Sequence, residues 1–209
     1  MRAGLNAADT FRVVAGLLLF LAGSAILMGI ITAEVFYPPG YSTAQNEISD
    51  LGATRPPNSV IYQPSATIFN ATMMVTGAMI LVSTFFFQRS VGRWIVTIPL
   101  ALLGVSVLGV GIFPGNNAVI HPIFALTAFL FGGLAAVASA FVVTSPARYA
   151  FGVFGAIILL ALTAVDSLIP VLGDGGTERW IAYPVVLWLV GFGGYLLGMP
   201  HSPTPAYRP

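Results

Sequence analysis

The chain has no cysteine and no lysine among its 209 residues. The first absence excludes disulfides, thiolate metal sites and cysteine nucleophiles together. The second excludes Schiff-base chemistry. Charge of either sign is scarce: Asp, Glu and Arg make up 7% of the residues, where a soluble domain carries about 25%. With 57% hydrophobic residues and a mean hydropathy of +0.91, the chain lacks the polar surface to cover its own core in water. Lipid is the solvent that suits it. A formal net charge of +1 provides no basic patch to neutralise phosphates, which argues against a nucleic-acid partner.

What is present is a set of six apolar blocks, each close to the roughly 20 residues a helix needs to cross a bilayer. They run Phe11–Ala33, Val60–Phe87, Trp94–Phe113, His121–Thr144, Tyr149–Val171 and Trp180–Met199. The first follows Arg2 and Arg12 as a signal peptide would, yet its apolar stretch Val13–Ile31 is longer than the roughly 7–15 residues of a signal h-region. It reads as a retained helix. The expectation is therefore an all-α, polytopic membrane protein: one six-helix domain over residues 1–199 and a short proline-rich tail, 200–209.

The few charges are sorted by sign along the chain. Arg2, Arg12, Arg89, Arg93, Arg148 and Arg208 fall in alternate gaps between the blocks, and only Arg55 and Arg179 fall in the others. Arginine accumulates on the cytoplasmic side of membrane proteins, which predicts a multi-pass protein of the cell membrane with both termini in the cytoplasm. Glu34, Glu47, Asp50, Asp166, Asp174 and Glu178 then collect at the outer level.

The only long connection, about 34–59, lies on that outer side, between helices 1 and 2. Pro38-Pro39-Gly40 and Pro56-Pro57 enclose Tyr41–Arg55 and stiffen it; long ordered loops of this kind are usually functional. Within it, Ser42–Glu47 reads as a short capped helix opening into Ile48-Ser49-Asp50-Leu51-Gly52. Pro99 and Pro184 should kink helices 3 and 6 or free a carbonyl. Small residues are frequent in the blocks, and Gly194-x-x-x-Gly198 has the spacing of a helix-contact motif. It reads as packing inside the bundle or as a seam for a homo-oligomer or a membrane-complex partner.

Chemistry, if any, gathers at the outer level. Asp166 reads as lying one turn inside the outer end of helix 5, where the negative helix terminus disfavours a carboxylate. It should be protonated or paired, with Arg179, Arg55 and His121 as candidate partners; a structural salt bridge to Arg179 and a functional intramembrane acid are both open. His121 opens helix 4, where the positive terminus favours a neutral ring: a satisfied hydrogen-bonder, or a base. Glu178 suits the first turn of helix 6 as a favourable charge. Arg179 beside it is a planar fork, an interfacial anchor or a grip on Asp166 or a lipid phosphate. Glu47, Ser49 and Asp50 are ordinary solvated loop residues or part of a site with Arg55. As a catalytic set the candidates are His121, Asp50 and Asp166; as a ligand-binding set, Glu47, Ser49, Arg55, Glu178 and Arg179. The carboxylates and one imidazole offer donors to a divalent ion, but nothing in the sequence requires one, and a catalytic zinc site wants more histidines. Ser49 or Ser167 with His121 can be drawn as a triad by residue type alone.

Five segments follow a familiar order: Tyr41–Ala53 with its Ile-Ser-Asp-Leu-Gly run, Ile68-Phe69-Asn70, Gly111-Ile112-Phe113-Pro114, His121-Pro122, and Glu178-Arg179 followed by Tyr183-Pro184 and Trp188. They resemble the bacterial and archaeal membrane family catalogued as domain of unknown function 998, from about residue 10 to 198. The resemblance implies a six-helix membrane protein and brings no established activity with it. Two functions compete on this reading. One is a lipid-handling protein, with an outward-facing pocket under the 41–55 loop. The other is a structural or accessory subunit whose polar cluster ties the loop to the bundle. A proton-coupled transporter fits less well, because the inner half of the bundle carries no acid for a continuous ion path.

Overall fold

The computed structural model describes residues 6–200; Arg2, His201, Arg208 and the tail from residue 201 lie outside the described residues. Among the described residues all regular structure is helical: α1 (Ala7–Val35), a 3-10 helix (Ile48–Leu51), α2 (Ser65–Ser90), α3 (Trp94–Ile112), α4 (Ile120–Ala140), α5 (Ala147–Thr163) and α6 (Val165–Gly198). Five of the six α-helices are long and apolar enough to cross a membrane. The sixth, α5, has 17 residues, about 25 Å at 1.5 Å per residue.

Each helix packs against the next in the chain and α6 returns against α1, which closes a ring. Inside it lie Leu19, Ile80, Leu100, Ile158, Trp188 and Leu189, each almost wholly buried. Outside, Met28, Val75, Phe85, Ile98, Leu160 and Leu187 are exposed, an apolar girdle that lipid tolerates and water does not. Polar side chains in the interior bond locally or across helices. Ser83 Oγ donates to the Ile80 carbonyl at 2.7 Å, Ser106 Oγ reaches Thr127 Oγ1 at 2.9 Å, and Trp188 Nε1 donates to Ser139 Oγ at 2.9 Å.

Small residues let the ring close. A Cβ on Gly193 would stand 2.5 Å from the Phe20 backbone nitrogen, and one on Gly16 would stand 2.8 Å from the Gly193 carbonyl oxygen. Gly194 and Gly198, by contrast, meet nothing within 4 Å. The packing of α6 on α1 therefore uses Gly193, and the Gly194-x-x-x-Gly198 pair faces away from the bundle.

At the end holding both termini, Arg12 is buried against the last turn of α6. It donates to the carbonyls of Leu196 at 2.5 Å and Met199 at 3.0 Å, and pairs with Asp9 at 3.1 Å. The carbonyls that a helix C-terminus leaves without partners are thus covered by α1. Arg12 is more than a topology marker, and Asp9, to which the sequence reading assigns nothing, is its counter-charge.

The largest departure from expectation lies between α5 and α6. The fifth block does not run to Val171: α5 ends at Thr163, and a new helix starts at Val165. The expected 172–179 loop is helical apart from one residue, Gly173, whose φ of 76° lies in the left-handed region. Pro99 and Pro184 both lie within helices, but the break in α6 falls at Gly173. Asp166 accordingly sits in the first turn of a helix, where the terminus favours negative charge. It is exposed, so its charge needs no partner.

Candidate functional site

Segment 36–64 folds over the end of the ring opposite the termini. Its first half is held by one arginine. Arg179, 8% exposed, donates through Nη1 to the carbonyls of Thr43 (2.8 Å), Asn46 (2.9 Å) and Gly175 (3.0 Å). Through Nη2 it donates to Glu34 Oε1 and Tyr41 Oη, both at 2.7 Å. The guanidinium also lies over the Tyr41 ring, 5.7 Å from its centroid, while its Nε has no partner. Tyr41 passes its own hydroxyl hydrogen to the Glu47 carbonyl at 3.1 Å, and burial holds that phenol above its ordinary range despite the arginine. The expected Asp166–Arg179 bridge is therefore replaced by Glu34–Arg179. Glu34 ends α1 where the helix terminus is negative, so the cation relieves that carboxylate.

The turn 42–46 is tied internally by Asn46, whose Oδ1 accepts from the Ser42 N–H at 2.9 Å. It rests directly on the backbone of α6: the Gly176 N–H donates to the Ala44 carbonyl at 3.0 Å. A Cβ on Gly175 would overlap the Asn46 carbonyl, and one on Gly173 the Ala44 carbonyl. The Gly-Asp-Gly-Gly run reads as a loop in sequence because glycine breaks helices. Here it makes a helix on which another chain segment can lie.

The helix expected over Ser42–Glu47 forms one step later. Glu47 is the N-cap of the 3-10 helix Ile48–Leu51, in a reciprocal capping box with Asp50. Asp50 Oδ2 accepts from the Glu47 N–H at 3.1 Å and from Asn46 Nδ2 at 3.4 Å; it lines neither cavity described below. The Ile48 N–H donates to Glu178 Oε2, which fastens the 3-10 helix to α6. Arg55 reaches back to Glu47 Oε1 at 2.5 Å, and Ser49 Oγ donates to Glu47 Oε2 at 3.4 Å.

Burial pushes the Glu47 carboxyl above its ordinary range, against the opposing pull of Arg55. From the ordinary carboxylate range up to that raised value, the folded chain binds more protons than the unfolded one. Stability then falls as pH rises through the window. Glu47→Gln keeps an oxygen for the cap and is expected to flatten that part of the curve, followed by thermal unfolding in detergent across a pH series. An unchanged curve would overturn this role for Glu47.

His121 lies in the first turn of α4, 3% exposed. Its Nδ1 is 2.8 Å from the Phe113 carbonyl oxygen. A carbonyl only accepts, so Nδ1 carries the hydrogen, and in the neutral ring Nε2 is left as an acceptor. The turn between them is closed by Asn117, whose Oδ1 accepts from the Ile120 N–H at 2.9 Å. Gly115 lies against the Ala53 carbonyl, and Gly52 against Asn70. Parts of four segments that carry the family resemblance, around Ser49–Ala53, Asn70, Phe113 and His121, therefore interlock at this one end of the ring.

Two cavities meet under the 3-10 helix. The inner one, about 90 Å³, is enclosed by apolar side chains of α1, α2, α3, α4 and α6, among them Ile30, Phe69, Leu103 and Val186. The outer one, about 210 Å³, lies between α4, α5, α6 and the 47–55 stretch, and carries Glu47, Arg55, Asp174 and Thr177. Ser49, His121, Ala125, Phe129 and Glu178 line both, so the polar vestibule and the apolar chamber share a wall that includes a serine, an imidazole and a carboxyl group. Asp166 and Arg179 line neither cavity. Among the described residues no three His, Asp or Glu groups converge as metal ligands would.

Asp174 and Thr177 belong to this wall, and the candidate sets drawn from sequence omit both. With the segment taken as helix, Asp174, Thr177, Glu178 and Ile181 fall at i, i+3, i+4 and i+7, one face. That signal disappears once 172–179 is taken as a loop.

A closed ring of apolar helices with a polar-mouthed cavity at one end defines a helical membrane protein. The chain matches the family described as "Protein of unknown function (DUF998)" over residues 20–195, and it belongs to that family. No curated protein and no solved structure matches it.

Proposed function

We propose that this protein binds a membrane amphiphile, polar head in the vestibule and apolar tail in the inner chamber. The observation that carries the reading is the junction itself: an apolar cavity and a polar cavity that share Ser49, His121 and Glu178. Ligand pockets combine mostly apolar walls with a few convergent polar groups, and this pair has that division. The vestibule wall includes Leu126, Leu162 and Ile169 on helices whose outer faces are apolar, which suits entry from lipid. Arg12, Arg89, Arg93 and Arg148 stand at the opposite end of the ring, and the arginine bias of cytoplasmic loops supports a vestibule on the outer side of the cell membrane with both termini inside. If the site performs acid–base chemistry, His121 through Nε2 and Glu178 are the groups that face the cavity.

Native mass spectrometry of protein extracted in a mild maltoside detergent is expected to show a retained adduct of lipid mass. Ala125→Phe, which puts a ring into the wall shared by both cavities, is expected to abolish the adduct with little change in thermal midpoint. A wild-type protein without adduct, or an adduct indifferent to Ala125→Phe, sinks the reading. A structural or accessory role is favoured by one observation, the Gly194 and Gly198 face that meets nothing within 4 Å. It requires a partner chain on that face, visible as a defined oligomer by light scattering or as a copurifying subunit.

A further inference from the structure

We propose that the head group taken by the vestibule is a cation, an ammonium group in chemical class, and not a phosphate. This rests on the amphiphile reading and specifies its polar half. The charge inventory of the wall points the opposite way from the arginine count in the sequence. Of the two arginines at this end, Arg179 is withdrawn into the loop, its Nη atoms held by five protein acceptors, and it lines neither cavity. Arg55 lies at the rim, 64% exposed and paired with Glu47. That leaves Asp174 and Glu178 on the wall with no arginine paired to either. A phosphate entering here would face two carboxyl groups, and the one guanidinium on the wall, Arg55, is already paired with Glu47.

Two of the open hydrogen-bonding positions next to the chamber are acceptors. His121 Nε2 accepts, because Nδ1 gives its hydrogen to Phe113. Glu178 accepts through the oxygen that the Ile48 N–H does not use. Thr177, 3% exposed, belongs to the vestibule wall, and its buried hydroxyl has no hydrogen-bond partner. A buried hydroxyl without a partner is costly, and it is an independent sign that this wall is completed by something else. An ammonium group donates through its N–H bonds, carries the charge opposite to Asp174 on the wall, and favours the ionised form of the buried Glu178 carboxyl beside it. The chamber behind it, walled by Ile30, Phe69 and Val186, accepts only an apolar continuation.

The test is a titration by isothermal calorimetry of delipidated protein in neutral maltoside, using four probes. Octylamine, octyl phosphate and octanol share a tail and differ in the head; ethanolamine keeps the ammonium and lacks the tail. Octylamine is expected to bind at least about tenfold more tightly than octyl phosphate or octanol, the scale of a charge-assisted hydrogen bond. Glu178→Gln and Asp174→Asn are each expected to remove most of that preference, and Asp174→Asn, at the rim, serves if Glu178→Gln fails to fold. Octyl phosphate binding as well as octylamine, or a preference unmoved by both substitutions, overturns the ammonium assignment and leaves the amphiphile reading intact. Ethanolamine binding as tightly as octylamine supports the cation site and overturns the tail chamber. No binding of any probe overturns both.

Discussion

Replacing Arg179 with methionine is expected to destabilise the folded protein by about 3 kcal/mol, the lower end of what breaking a buried ion pair costs. The loss is large because the side chain serves five acceptors at once, on α1, α6 and the 41–46 segment. Methionine fills much of the volume and removes the charge. Glu34 is then left without a cation at the negative end of α1, and the Thr43 and Asn46 carbonyls lose their donor. The double variant Arg179→Met/Glu34→Gln should recover part of the loss, since the uncompensated carboxylate is gone while the carbonyls stay unserved. Thermal unfolding in detergent measures the first effect. Amide hydrogen exchange over residues 36–64 measures the second, where protection should fall in both variants. A single variant as stable and as protected as the parent would mean that the arginine does not hold the loop.

Gly175→Ala is expected to cost about 2 kcal/mol, within the usual range for forcing an extra methyl into a packed position. A Cβ at this position overlaps the Asn46 carbonyl and crowds Thr43, the same two residues whose carbonyls bind Arg179. Backbone, unlike a flexible side chain, can yield only by moving the whole turn. The substitution should therefore lift the 42–46 turn from α6 even though alanine is the better helix former. Gly194→Ala is the matched control: its Cβ meets nothing within 4 Å, and it should be neutral or slightly stabilising. Equal behaviour of the two variants, by thermal midpoint and by exchange in 42–46, would show that the close contact is not what selects glycine at 175.

Both predictions turn on residues that the sequence singles out only in part. Arg179 is conspicuous as one of two arginines outside the arginine-rich end, yet sequence pairs it with Asp166 because the two lie at the same level along their blocks. Level along a helix axis does not settle direction around it. The break at Ala164 and the left-handed Gly173 reposition Asp166, and Glu34, 145 residues away in the chain, takes its place. Gly175 falls in the gap left between the fifth and sixth apolar blocks, and nothing in the sequence shows that its missing side chain serves contact with the 42–46 turn. Asp50 looks reactive beside Glu47 and Ser49, but its carboxylate is committed to the cap of the 3-10 helix.

The sequence by itself determined what a local or one-dimensional property can determine. Scarcity of charge and long apolar blocks define a helical membrane protein, because the length and polarity of a spanning segment are set by the bilayer. The order of the motif segments determined the family. Tertiary structure alone decided which polar groups meet. Placing Arg179 on Glu34, Ile48 on Glu178 and Phe113 on His121 depends on how helices rotate about their axes and on where one loop lies. Those choices pair most, though not all, of the buried polar atoms at this end of the bundle. The cavity under the loop follows from the same packing, and no stretch of sequence contains it.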